Sequence, residues 1–153
     1  MDRGRAVPLT GCMAVMTESK REEFLAGVHV GVISIARPDG PPLAVPVWYH
    51  YEPGGDVLVQ TAPESLKFRL AEAAGEFTLV VQDENPPYRY VSVSGPVVAV
   101  DHETPWSEIE ALAHRYLDGD AATDFLKTVE GATIATFRMR PRRWYSTDYS
   151  ISG

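Results

Sequence analysis

Residues 44–70 read AVPVWYHYEPGGDVLVQTAPESLKFRL, and the parsing of this stretch decides the fold. Ala44 to Tyr51 is dense in β-branched and aromatic residues, the composition of a half-buried pleated strand. Pro53-Gly54-Gly55 breaks it as a tight turn, and Asp56 to Thr61 resumes extended structure as a second strand. Pro63 suits a helix start, because the first helical N–H has no partner to lose, and Glu64 suits the positive helix end. The spacing predicts a helix over Glu64 to Ala74 with Leu66, Leu70 and Ala73 as its buried stripe. Ser65, Lys67 and Arg69 then stand near its N-terminal turn, where free amides and two cations would favour a phosphate. From that spacing alone, an ordinary amphipathic helix with a solvated basic face is the commoner reading.

Outward from this stretch the pattern stays strand-rich. Upstream, Ser19 and Glu22 are spaced as a capping box for a short helix ending at Gly27. Val28 to Ala36 predicts a strand, and Pro38-Asp39-Gly40 a turn whose glycine takes the left-handed position. Downstream, Gly75 is a natural helix stop before a strand over Glu76 to Gln82. Pro86-Pro87 holds the next loop out of any ladder, and Tyr88 to Asp101 is long enough to bend at Gly95-Pro96. Thr104 as N-cap and Pro105 at the first turn open a helix to about Leu117, with Ile109, Leu112, Ala113 and Tyr116 on one face. A shorter helix over Ala121 to Val129 and two strands, Gly131 to Arg140 and Arg143 to Ser150, complete the chain. About seven strands with helices between them, and no βαβ alternation, suit an α+β antiparallel barrel.

At 153 residues, 44% hydrophobic and 23% charged, the chain has the make-up of one globular domain with a sizeable core. A net charge of −7 disfavours nucleic acid and anionic membrane surfaces as partners. No apolar run approaches the ~20 residues that span a bilayer. The single cysteine, Cys12, excludes an internal disulfide and a cysteine-rich zinc site. Leu9-Thr10-Gly11-Cys12 has the shape of a lipoprotein box, but the apolar run before it, Ala6 to Leu9, is too short for a signal core. Residues 1–16 are therefore expected to be a disordered leader, residues 17–153 one domain, and the location cytoplasmic.

Catalytic constellations are sparse. His29, His50, His102 and His114 lack metal-ligand spacing, so no metal is expected, and Ser65 lacks a nucleophile elbow. Asp83 and Glu84 read as a solvated loop. Such a chain fits an enzyme whose cofactor carries the reaction. Arg142-Arg143-Trp144-Tyr145 reads either as a cofactor contact or as a charged turn entering an edge strand.

The Arg-Pro-Asp-Gly turn at 37–40, the VPVWY strand at 45–49, the series Thr61, Ser65, Lys67, Arg69, and the PPYRYVSVSG strand at 86–95 occur in a particular order. Over roughly Phe24 to Arg143 the sequence resembles the pyridoxamine 5′-phosphate oxidase-like split-barrel flavoproteins, above all the branch using the deazaflavin coenzyme F420. The resemblance implies a mainly antiparallel, six- to seven-stranded split β-barrel with peripheral helices. It implies a flavin-like ring along Val45, Pro46, Val47 and Trp48, and a ribityl chain and phosphate held by Gln60, Thr61, Ser65, Lys67 and Arg69. It further implies a homodimer with the cofactor cleft between subunits, reached by Tyr88 and Arg89 of the partner copy. Many relatives carry a small residue after the lysine, then Arg-Asn; here Phe68 and Leu70 take those slots, which bears on pocket width and on F420 against FMN. The expected function is an F420-dependent oxidoreductase acting on a small organic substrate. The alternatives are an FMN-dependent oxidoreductase, a non-catalytic flavin- or haem-binding module, and the same fold without cofactor.

Overall fold

The computed structural model describes residues 14–150. Among the described residues, four helices and seven strands run in the order α1 (Glu18–Ala26), β1 (Gly31–Arg37), β2 (Gly40–Val47), β3 (Val57–Thr61), α2 (Leu66–Ala74), β4 (Glu76–Asp83), β5 (Arg89–Asp101), α3 (Trp106–Tyr116), α4 (Gly119–Val129), β6 (Ala135–Met139) and β7 (Arg143–Asp148).

All strand pairs are antiparallel, and the ladder runs β2-β1-β4-β5-β6-β3, with β7 also pairing β5. The two strands of the deciding stretch are not a hairpin. β2 and β3 are the two ends of the ladder, and the chain just beyond β2 meets β3 in the bridge of His50 to Leu58. The sheet thus curls until its ends nearly meet, which is the α+β split barrel. Pro41, Pro42 and Pro46 explain why β2 is an edge, since a proline cannot donate to a second neighbour.

Long β5 belongs to both halves. Residues 89–96 pair with β4, residues 89–94 also with β7, and residues 97–101 with β6. The bend falls near the expected Gly95-Pro96. A Cβ on Gly95 would lie 1.7 Å from the Arg140 carbonyl, so only glycine lets the corner between β6 and β7 cross there. Inward-facing Ile33, Ile35, Leu79, Val91, Val93, Val59 and Phe137 fill the barrel, each worth ~1.5–3 kcal/mol of burial.

Helix starts differ from the sequence reading in informative ways. α1 is capped by Thr17, whose hydroxyl accepts from the Lys20 amide, rather than by Ser19. α2 begins after Ser65, not at Pro63, and this later start rotates its inner face. Phe68 and Ala71 are buried, Leu70 is half-buried, and Leu66 is exposed. Gly75 ends it in the left-handed region at φ 70°, as expected. α3 has Pro105 at its N-cap; Thr104 turns inward and its hydroxyl pairs with that of Thr136 at 2.6 Å. The strand expected from Val28 starts only at Gly31, leaving Val28 and Val30 exposed.

The leader expectation lies mostly on residues 1–13, outside the described residues. Residues 14–16 belong to the fold: Ala14 bridges Asp148, and Met16 is buried with its amide donating to Ser146 Oγ. Among the described residues, no helix is long and apolar enough to cross a membrane.

Candidate functional site

β2 ends at Val47, and Trp48 and Tyr49 leave the ladder without leaving the protein. Tyr49 is fully buried, and although the next residue, His50, bridges Leu58 of β3, the Tyr49 amide and carbonyl have no strand partner of their own. The Tyr116 hydroxyl at the last turn of α3 serves instead, accepting from the Tyr49 amide at 3.0 Å. The same hydroxyl lies 2.7 Å from the His29 carbonyl and 3.0 Å from the Tyr49 carbonyl, either of which accepts its proton. Burial raises the Tyr116 pKa, which keeps this hydroxyl neutral and able to donate. The Tyr116 ring stacks on Trp48 at 5.0 Å and 4°, and Phe125 of α4 meets Trp48 at 5.0 Å and 56°. Beside it, Arg115 Nη2 donates to the Ala26 and Gly27 carbonyls.

These contacts prop α3 and α4 over the barrel end and leave a cavity of about 320 Å³ between them. That is the lower end of the range for small-molecule sites. Its barrel side carries Pro46, Val47 and Trp48, with Gln60 on β3 and Lys67 on α2. Its helical side is Ile109, Leu112 and Ala113 of α3 with Phe125 and Val129 of α4. Gln60 Nε2 donates to the Glu108 carbonyl at 3.2 Å, which leaves its Oε1 free to accept. Lys67 is half-buried and has no carboxylate partner among the described residues. The site is therefore an apolar slot with one cation and one amide, suited to a flat ring carrying an anionic group.

Five of the expected residues, Pro46, Val47, Trp48, Gln60 and Lys67, line this one cavity. Thr61 and Ser65 are not in the lining; their hydroxyls pair with each other 2.8 Å apart. Ser65 Oγ also accepts from the Phe68 amide as the α2 N-cap, so the pair retains one hydroxyl proton for an outside acceptor. Val45 is not in the lining; it packs inward against the core. Arg69 is exposed, as a residue about 200° around the helix from Lys67 should be. Phe68 does not narrow the slot, because it is buried against Phe137 at 5.0 Å.

Tyr88 and Arg89 lie elsewhere in the subunit. Tyr88 is exposed, and Arg89 pairs with Asp83 at 3.1 Å over the ring of Phe24. The Asn85 amide and then Arg89 hold the Asp83 carboxyl below its usual range. Of the late cluster, Trp144 packs beside the core under Arg21, and Tyr145 is exposed and stacked on Tyr90. The helical wall of the cavity was not expected as part of a site. Its apolar periodicity was visible in Ile109, Leu112 and Ala113, but a face that covers a cavity and one that covers a core carry the same pattern. No grouping of His, Cys, Asp or Glu among the described residues could hold a metal ion.

Residues 17–145 match the family described as pyridoxamine 5′-phosphate oxidase. No curated protein matches the chain. Among solved structures it is similar to an F420 reductase, 23% identical over 81% of this chain and 94% of that one, with a TM-score of 0.65. A conserved hypothetical protein of Mycobacterium tuberculosis is 20% identical over 88% and 86%, TM-score 0.67. A FAD-binding protein of Mesorhizobium loti is 17% identical over 89% and 97%, TM-score 0.61. At these identities the likeness to the solved structures is one of fold.

Proposed function

The chain belongs to the pyridoxamine 5′-phosphate oxidase family, and from that premise we propose that it is an F420-dependent oxidoreductase acting on a small organic substrate. The observation carrying this reading is the arrangement of the cavity. Pro46 to Trp48 offers an apolar wall and Lys67 a cation in the same lining, while the Thr61–Ser65 hydroxyl pair sits at the start of the helix that carries Lys67. The residues fit a flavin or deazaflavin: a ring against the wall, a phosphate at the ammonium. Bound there, such a cofactor would supply hydride transfer. The chain's own part is to orient and to exclude water. Trp48, backed by Tyr116, fixes the ring plane; Ile109, Leu112 and Phe125 keep that plane dry; Lys67 anchors the charged end. Among the described residues, no carboxylate or histidine lines the cavity.

F420 is favoured over FMN by the sequence resemblance and by similarity to a protein named as an F420 reductase. FMN remains the alternative, and the similar FAD-binding protein lends it support. The absorbance spectrum of freshly purified protein, followed by titration with F420 and with FMN, tests this. Micromolar or tighter binding of F420, with weaker FMN binding, is expected; binding of neither overturns the reading.

The same reading includes a homodimer and a cytoplasmic location, with neither nucleic acid nor membrane as partner. The outer face of the sheet supports the dimer. Pro46, Val32, Val80, Ser92 and Tyr145 form one row across five strands, with Val32 and Tyr145 exposed. The row is uncharged, and Val30 and Pro46 continue it into the cavity lining. A second copy seated there would cover apolar surface and close the mouth together.

A further inference from the structure

We propose that Tyr116 is the positioning residue of the cavity: its hydroxyl fastens three wall segments together, and its ring sets the plane of Trp48. The inference rests on the cavity being the ligand site. Each chain segment that the hydroxyl touches delivers a wall residue one to four positions away. The His29 carbonyl precedes Val30, Tyr49 comes directly after Trp48, and Tyr116 itself ends the helix that carries Leu112 and Ala113. A single oxygen thus ties the entry to β1, the exit from β2 and the end of α3.

Chemistry makes the tie specific to tyrosine. Beyond Val47 the strand has lost its ladder partner, so the Tyr49 amide and carbonyl are buried groups in need of bonds. A hydroxyl can accept from the first while donating onward; a phenyl ring can do neither. The ring does a second job. Stacked at 4°, it occupies one face of the Trp48 indole and leaves Phe125, tilted at 56°, as the other aromatic neighbour. Trp48 then has one orientation to offer a ligand, rather than the several rotamers of an unsupported indole. Nothing in the reading of Tyr116 as a residue of the α3 apolar face required its hydroxyl to be bonded in this way.

The test labels the protein with 5-fluorotryptophan. Trp48, Trp106 and Trp144 give three fluorine resonances, and Trp48→Phe identifies one of them. Tyr116→Phe keeps the stack and loses the hydroxyl, whereas Tyr116→Leu loses both. Val91→Ala, a core substitution on β5 away from the cavity, serves as a generally destabilised control. The expected result is a shifted or broadened Trp48 resonance in both Tyr116 variants, larger in Leu, with the other two resonances unmoved and no such change in Val91→Ala. Affinity for F420 or FMN should fall about tenfold in Tyr116→Leu, about threefold in Tyr116→Phe, and remain unchanged in Val91→Ala. A Trp48 resonance that stays put in Tyr116→Phe, or moves equally in Val91→Ala, overturns the proposal. So does a moved resonance with wild-type affinity. If the wild type binds neither cofactor, the proposed function fails, while the resonances still decide what Tyr116 does to Trp48.

Discussion

Replacing Lys67 with alanine pulls binding and stability in opposite directions, and that opposition makes it the sharpest probe of the cavity. Lys67 is the second residue of α2 after the Ser65 cap, so its ammonium sits against the positive end of the helix. A like charge there costs the helix about 0.3–1 kcal/mol, and no carboxylate among the described residues offsets it. Lys67→Ala should therefore leave the ligand-free protein unchanged or raise its melting temperature by about 1–3 °C. Against a ligand phosphate the same ammonium makes a charge-assisted contact worth about 1.5–3 kcal/mol. Its removal should weaken cofactor binding roughly ten- to a hundredfold, towards the lower figure because Lys67 is half-exposed to solvent. The assay is a fluorescence titration with F420 and with FMN at low ionic strength, alongside thermal melts without ligand. Raising the salt should narrow the gap between wild type and variant. Arg69→Ala, on the far side of the helix, should change affinity less than threefold. Affinity within a factor of two of wild type at low salt, or a ligand-free melt several degrees lower, refutes the reasoning.

Four other outcomes are expected from the geometry. Val32→Asp places a charge in the exposed row of the outer sheet and should weaken self-association at least about thirtyfold; light scattering that finds the wild type monomeric at micromolar concentration, or the variant still dimeric, removes that face as the interface. Gly95→Ala drives a Cβ onto the Arg140 carbonyl and should cost about 3 kcal/mol or more, whereas Gly40→Ala, with its nearest neighbour at 3.8 Å, should cost under about 0.5 kcal/mol in the same urea denaturation series. Met16→Ala should cost about 2–4 kcal/mol because Met16 is core, and a melt identical to wild type would mean that it is not. Burial lowers the His29 pKa from 6.5 in the folded state, so the unfolded chain takes up the proton first as pH falls. The neutral ring's contribution is complete above about pH 6.5 and is lost below it; His29→Asn should flatten that part of the stability profile, and an unchanged slope between pH 6.5 and 5 counts against it.

Local punctuation made much of this fold legible. Gly75, the prolines of 86–87 and the bend near Gly95 act through backbone geometry that one residue can impose; the turn after Arg37 was also placed, but Gly40 opens β2 as extended strand and not in the expected left-handed position. Pairing was not legible in the same way. The turn at 53–55 invited a hairpin, yet β2 and β3 became opposite ends of the ladder, because the prolines that make β2 an edge say nothing about which strand sits beside β3. The site divided along the same line. Lys67, Gln60 and the Pro46–Trp48 wall come from contiguous motifs. The helical wall and Tyr116 are tied to Tyr49 across 67 residues, a separation over which no periodicity carries a signal. Ser65 stood in plain view as a helix cap, but the preceding Pro63 drew the helix start two residues too early.

The thirteen-residue strand β5 carries a further consequence. Because its first half is hydrogen-bonded to β4 and β7 and its second half to β6, neither sheet can lose its ladder without breaking the strand they share. The wall formed by Pro46 and Trp48 hangs from one sheet and Gln60 from the other, so the two sides of the cavity belong to a single cooperative unit. Slow amide exchange should therefore proceed at one common rate on both sheets, governed by global opening rather than by local breathing. A ligand gripping only the cavity would slow that opening everywhere along the chain, including strands it never touches.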